Sequence, residues 1–421
     1  MLRSSALTEG NGSPVHLIAS HQNRPSDDPI FALNKEATAR RQRGEAIVNA
    51  TVGALMDDEG ALAVLPTAAR AVREVPASEW APYAPIAGPG DFLRAVVDDL
   101  LAGEPGLHRT AVAAATPGGT GALRHAIANF LEPGQALLTT SWYWGPYQTL
   151  CDEAGRKLEA FPMFSGDGLD VAAFDAALAR QLGAQKRALV FLNDPCQNPT
   201  GYSMTDAEWK AVVECLLRRS ADGPITLLVD CAYYLYGARD PRAFLRHLRP
   251  LVEGGRVVVL FAWSASKSFT HYGLRVGAVV ACVADEDERR RTEAALSYSC
   301  RGTWSNCNRG GMAAVTRLLV DKDLAGACGA EREALKAVLQ ARVDAFNRLA
   351  RERGLRYPRY DGGFFVTVFH DDPLGKADAM RAQGVFVVPQ APHGRGSGGA
   401  LRVALCSVAE RDVPRLVDAL V

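Results

Sequence analysis

Between residues 136 and 283, short apolar runs alternate with amphipathic helical patterns, and this alternation decides which architectures are open to the chain. The runs are ALLTT (Ala136 to Thr140), RALVFLN (Arg187 to Asn193), ITLLVD (Ile225 to Asp230), VVVLFAW (Val257 to Trp263) and VGAVVACV (Val276 to Val283). Between them lie segments such as DAEWKAVVECLLRR (Asp206 to Arg219), whose apolar positions recur at three and four. Strands that are apolar along their whole length are buried on both faces. The pattern therefore predicts an α/β fold with a largely parallel sheet covered by helices. Ligands of such sheets sit outside the carboxyl ends of the strands. After about residue 330 the chain turns helical and charged and then gives GGFFVTVF and ALRVALCSV, which predicts a smaller α+β domain.

Length and charge narrow the choice of partner. A chain of 421 residues outgrows one small core and suits two domains. Its 47 basic residues balance 47 acidic ones, so no basic field invites nucleic acid or an anionic membrane, and the expected partner is a small molecule. Nine scattered cysteines without a CxxC pair indicate neither a metal site nor a disulfide framework and suit a reducing cytoplasm. Neither a signal peptide nor an apolar run of about 18 residues is found, so the expectation is a soluble cytoplasmic protein. Residues 1 to 27 read as a polar arm, with Asp28 as a helix N-cap and Pro29 at the first helical position.

The strand ends carry chemistry. After ALLTT comes Trp142, an aromatic that can pack in the core or cover a planar ligand. After RALVFLN, Asn198 precedes a proline that biases it into an extended turn able to present its amide. ITLLVD ends on Asp230, with Tyr233 close behind, and VVVLFAW is followed by Ser264, Ser266, Lys267 and Arg275. Gly118, Gly119, Thr120 and Gly121 lead directly into an amphipathic helix, whose free N–H groups suit a phosphate. A phosphate cradle, an aromatic cover, an acid at one strand end and a single lysine at the next match the needs of pyridoxal 5′-phosphate. The lysine amine bonds the aldehyde as a Schiff base, and the acid keeps the pyridine nitrogen protonated.

These segments, in this order, resemble class I aminotransferases of fold type I, in the subgroup of aspartate and aromatic amino acid aminotransferases. The likeness runs through DPIFALNKEA, NATVGALMDDEG, YAPIAGPGDF, GGTGALR, NPTG, DCAY, SASKS with GLRVG, RGTWSN and LRVALCSV. It implies a large domain (63–332) with a mostly parallel seven-stranded sheet, and a small domain formed by 28–62 and 333–421. Lys267 would attach the cofactor and shuttle the proton, and Asp230 would pair with the pyridine nitrogen. Tyr233 and Asn198 would bind the ring oxygen, and Trp142 would stack on the ring. Gly118, Gly119, Thr120, Ser264, Ser266 and Arg275 would hold the phosphate, joined by Tyr83 from a neighbouring subunit of a homodimer. Arg402, Gly53, Phe365 and Asn198 would contact the substrate. Arg301 would reach from the other subunit to the distal carboxylate of a dicarboxylic substrate.

Two departures stand out. Trp144 and Gly145 replace an asparagine and a histidine of aspartate-specific relatives, and Gly118 stands where a serine is common. The expected activity is ping-pong amino transfer between an L-amino acid, aspartate or aromatic, and 2-oxoglutarate. The alternative is a lyase or decarboxylase of the same fold, because which Cα bond breaks depends on an angle that sequence does not report.

Overall fold

The protein is described from a computed structural model over residues 16–25, 29–392 and 398–421. Residues 1–15 of the expected arm and the Asp28 cap lie outside the described residues. A short turn at Ala19–His21 and an ion pair from Arg24 to Glu153 belong to the described part of the arm.

Seven strands form the central sheet: β1 (Ala111–Pro117), β2 (Ala136–Thr140), β3 (Lys157–Phe161), β4 (Ala188–Asn193), β5 (Ile225–Asp230), β6 (Val257–Ser264) and β7 (Val276–Cys282). Their spatial order is β1-β7-β6-β5-β4-β2-β3. Only β7 runs against its neighbours β1 and β6, and the other pairings are parallel. The mostly parallel α/β expectation holds, and its reason is visible in the packing. Leu138, Val190, Leu227, Val229 and Phe261 enter the core on one face, while Leu137, Leu189, Phe191, Leu228 and Leu260 enter a second core on the other. Alternate residues of one strand thus bury in opposite directions, which is why the runs are apolar throughout.

The helices that matter for the site are α1 (Pro29–Gln42), α2 (Gly118–Phe130), α3 (Pro146–Glu153), α4 (Asp206–Arg219), α5 (Ala265–Ser268), α6 (Glu286–Thr303) and α7 (Lys322–Glu352). Helix α4 begins where its pattern predicts because Thr205 and Glu208 form a reciprocal capping box. Helix α7 is longer than the sequence pattern suggests, at 31 residues or about 46 Å. Cys328 near its start packs in the core of the large sheet. Leu339, Val343, Phe346 and Ala350, spaced at helical intervals, pack in a third core with the C-terminal body.

That body contains β8 (Phe365–His370), β9 (Val388–Gln390) and β10 (Gly399–Ala404) in an antiparallel sheet ordered β8-β10-β9. The N-terminal segment joins it through a parallel pairing of Val48–Asn49 with Val385–Phe386. Arg342, fully buried on α7, fastens the loop that follows. It donates to Cys406 O at 2.8 Å, Met56 O at 2.9 Å and Asp58 Oδ1 at 2.8 Å. Arg342→Met keeps the stem but removes all three donors. Chemical denaturation is expected to show a loss of about 2–3 kcal/mol, with faster amide exchange concentrated in the 51–58 loop.

Candidate active site

Because β1, β2, β4, β5 and β6 point the same way, the residues after them meet at one edge of the sheet. Register sets the spacing: Asn193 pairs with Asp230, Asp230 with Ala262, and Ser264 with Gly277, which itself pairs with Thr116. Strand β7 enters the sheet from this edge, so Arg275, just before it, joins the group although its strand runs backwards.

Lys267 lies in the single turn of α5, capped by Ser264, whose hydroxyl accepts from the Ser266 N–H at 3.2 Å. Its Nζ donates to Gly53 O at 3.0 Å and lies 4.5 Å from the Tyr272 ring centroid and 5.6 Å from that of Tyr233. Burial, which disfavours the ammonium, pulls its pKa from 10.5 down to about 8, and the Arg275 charge acts in the same direction.

Asp230 is buried at the end of β5. Burial raises its pKa, opposed by a donated hydrogen bond from Tyr147 Oη to Oδ2 at 2.7 Å and one from the Ala232 N–H to Oδ1 at 3.2 Å. Asn198 is anchored by its backbone N–H to Asn193 Oδ1 at 2.7 Å, while Asn193 Nδ2 donates to Asp230 O at 2.8 Å. The Asn198 amide reaches Tyr233 Oη at 3.5 Å, yet its Oδ1 is buried without a hydrogen-bond partner. Burial also raises the pKa of the Tyr233 phenol.

At the start of α2 no side chain caps the first amides. Gly118 has φ +68°, and a Cβ there would overlap the Arg275 guanidinium. The left-handed φ favours glycine here, and a side chain would also have to displace the Arg275 guanidinium. Gly277 is as constrained, since its Cβ would lie 2.5 Å from Gly118 C. Gly119 faces Ser264, and Thr120 occupies the first turn of the helix. Arg275 donates to Ser266 Oγ at 3.1 Å and to Tyr272 O at 3.0 Å, with its guanidinium at the open side.

From the C-terminal body, Arg402 is buried on β10, donating to Thr51 O at 2.6 Å and lying 4.9 Å from the Phe365 ring centroid. Phe365 in turn meets Tyr233 edge-on at 5.6 Å. A side chain at Gly53 would overlap the Phe365 ring.

The expected cluster of Lys267, Asp230, Asn198, Tyr233, Ser264, Ser266, Arg275, Gly118, Gly119, Thr120, Gly53, Phe365 and Arg402 therefore converges. Tyr83 and Arg301 do not join it within one chain. Tyr83 is 88% exposed, and Arg301, on the last turn of α6, is exposed with its guanidinium on Ser305 Oγ at 2.7 Å. Trp142 is buried against Phe369, ring centroids 5.8 Å apart, and Trp144 stands edge-on to Tyr147 at 6.0 Å. Tyr143 is core, stacked on Tyr147. Tyr147, Asn193, Tyr272 and Gly277 were not singled out by sequence; Tyr147 looks like one more aromatic in a packed cluster.

These residues fit pyridoxal 5′-phosphate. The uncapped helix start with Arg275 and two serines suits its phosphate, the buried carboxylate suits a protonated ring nitrogen, and the Asn198 amide, whose Oδ1 has no partner, is not fully engaged by the protein. The lowered lysine pKa also has a cost in the cofactor-free chain. An unfolded lysine titrates near 10.5 and the buried one near 8, so the full cost of a buried ammonium is present below pH 8 and falls away as pH rises to 10.5. Cofactor-free Lys267→Met is thus expected to be more stable than the parent at pH 7 by up to about 3 kcal/mol in chemical denaturation. The gap should close between pH 8 and 10.5.

Comparison with known proteins agrees. The sequence profile of the family described as "Aminotransferase class I and II" matches residues 45–420. An aromatic-amino-acid aminotransferase of Pseudomonas aeruginosa is 30% identical over 339 residues, covering 78% of this chain and 81% of its own. A tyrosine aminotransferase of Klebsiella pneumoniae is 27% identical over 407 residues, covering 94% and 97%. Among solved structures, an aminotransferase from Anaerococcus prevotii superposes with a TM-score of 0.87 at 31% identity, covering 97% of this chain and 98% of that one. With a lysine, a carboxylate and a phosphate cradle meeting at one sheet edge, and the profile spanning nearly all of both bodies, this chain belongs to the class I and II aminotransferases.

Proposed function

We propose that the chain, with pyridoxal 5′-phosphate as cofactor, moves the amino group of an aspartate or aromatic L-amino acid to 2-oxoglutarate by a ping-pong mechanism. The observation that supports this reading is a buried lysine amine, its pKa lowered to about 8, which donates to Gly53 O at the same end of the sheet where β5 ends on Asp230. Relatives named for aromatic amino acids and for aspartate support the substrate class. One solved neighbour, from Burkholderia pseudomallei, is described as covalently bound to pyridoxal phosphate, which supports the cofactor. The names of the relatives do not favour a lyase or decarboxylase.

When bound, the cofactor supplies the electron sink that makes an amino acid's Cα proton removable. Lys267 Nζ takes that proton as general base and returns a proton as general acid, a role its lowered pKa matches to near-neutral operation. Asp230 holds negative charge where the ring nitrogen would lie, and Asn198 and Tyr233 present donors to the ring oxygen. Arg402 offers a planar fork to the substrate α-carboxylate while Gly53 leaves room beside Phe365. For the ring cover, the chain of contacts from Trp144 to Tyr147 to Asp230 favours Trp144 over the Trp142 expected from sequence.

The exposure of Tyr83 and Arg301, with Trp80 and Tyr298 also open to solvent, supports a homodimer in which each would complete the partner's site. Arg301 there would meet a dicarboxylate such as 2-oxoglutarate. The separate cores support the division into a large domain (63–332) and a small one (28–62 with 333–421), α7 running through the boundary. No helix of the described residues is long and apolar enough to cross a membrane, and a cytoplasmic location is part of this reading.

Loaded protein mixed with excess L-phenylalanine or L-aspartate, without an acceptor, is expected to release a single equivalent of 2-oxo acid per site and stop. Adding 2-oxoglutarate should restart it. Continuous release of carbon dioxide or ammonia without an acceptor would instead establish the lyase or decarboxylase chemistry.

A further inference from the structure

Among the buried polar groups that the proposed mechanism leaves unused is the phenol of Tyr147, on the first turn of α3. The residue is 1% exposed, and its ring is fixed from three sides. Tyr143 stacks on it at 6.1 Å with 2° between planes, Trp144 meets it edge-on at 6.0 Å and 89°, and Phe191 of β4 meets it at 5.3 Å and 82°. A phenol held this way cannot swing toward another acceptor. Its Oη donates to Asp230 Oδ2 at 2.7 Å, a well-formed O–H···O bond.

The chemistry of that bond is specific. A buried tyrosine hydroxyl needs a partner, and many acceptors would serve for stability alone. Here the acceptor is the one carboxylate at the ring site, whose other oxygen already takes the Ala232 N–H at 3.2 Å. A neutral O–H donor lowers the basicity of the carboxylate without adding a positive charge. The negative charge therefore remains available to attract a ring N–H, while the shared proton is kept off Asp230 and on the ring. Gly145 and Pro146 just before it carry no side chain able to do this, so the task falls to Tyr147.

We infer that Tyr147 is a positioning residue which, by donating to Asp230 Oδ2, holds that carboxylate ionised and aimed at the cofactor's ring nitrogen. This rests on the assignment of Asp230 to the ring nitrogen given above.

The test compares the affinity of the full-length, cofactor-free chain for pyridoxal 5′-phosphate and for the analogue whose ring nitrogen is replaced by a C–H group. Both bond the lysine and fill the phosphate site, so only the ring-nitrogen contact differs. Tyr147→Phe keeps the ring and its packing. It is expected to weaken pyridoxal phosphate binding by roughly ten- to a hundredfold while leaving the analogue's affinity nearly unchanged. An equal loss for both compounds would mean that Tyr147 is structural only, and no loss for either would mean that the bond is idle; each result overturns the proposal. Asp230→Asn separates the underlying assignment: it should erase the preference for the natural cofactor. If Asp230→Asn retains that preference, the ring-nitrogen role of Asp230 falls, whatever Tyr147→Phe does.

Discussion

Parallel strands buried on both faces leave a chain only one place for polar chemistry, the edge where their carboxyl ends meet. In this protein the register from Asn193 to Asp230 to Ala262, and from Ser264 to Gly277 to Thr116, turns that edge into a scaffold of fixed spacing. The lysine, the carboxylate and the phosphate donors are positioned by backbone hydrogen bonding rather than by flexible loops. Reversing β7 matters as much as aligning the others, because it delivers Arg275 to the same edge from the opposite direction.

The second body closes the site from above. Gly53 O holds Lys267 Nζ, Phe365 meets Tyr233 edge-on, and Arg342 ties the 51–58 loop to α7 and to Cys406 just after β10. Lys267 and Asp230 are both pushed by burial toward their uncharged forms, the lysine pKa falling and the acid pKa rising. Each change costs folding energy in the isolated chain and each is relieved by a partner of complementary charge or reactivity. Such paired, unrelieved perturbations at one edge are a mark of a site built for a ligand.

Much of this was legible in the sequence where one physical cause dominated. ALLTT and ITLLVD coincide with strands because two-sided burial demands unbroken apolarity, and DAEWKAVVECLLRR coincides with a helix because its cap and its periodicity agree. Strands AVAAATP and KLEAF carry no clear sequence signal, the first for its weak β-formers and the second because it is a half-exposed edge strand carrying charge. Helix α7 starts before the periodic pattern does, because GACG interrupts that pattern while tertiary packing carries the helix through. Residues with a distinctive chemical group, such as Lys267, Asp230 and Arg275, were legible as candidates, and the fold gathers them at one end of the sheet. Tyr147 was not, since an aromatic among aromatics reads as core until its hydroxyl is located, and Trp142 and Trp144 cannot be told apart by composition when only their neighbours differ.

Borohydride reduction of the cofactor-loaded protein, followed by proteolysis and mass spectrometry, tests most directly whether Lys267 is the residue on which the site is built. A pyridoxyl group on Lys267, in the peptide carrying SASKSFTHYGLR, is the predicted result. A group fixed on a different lysine, or cofactor recovered wholly free after reduction, would contradict it.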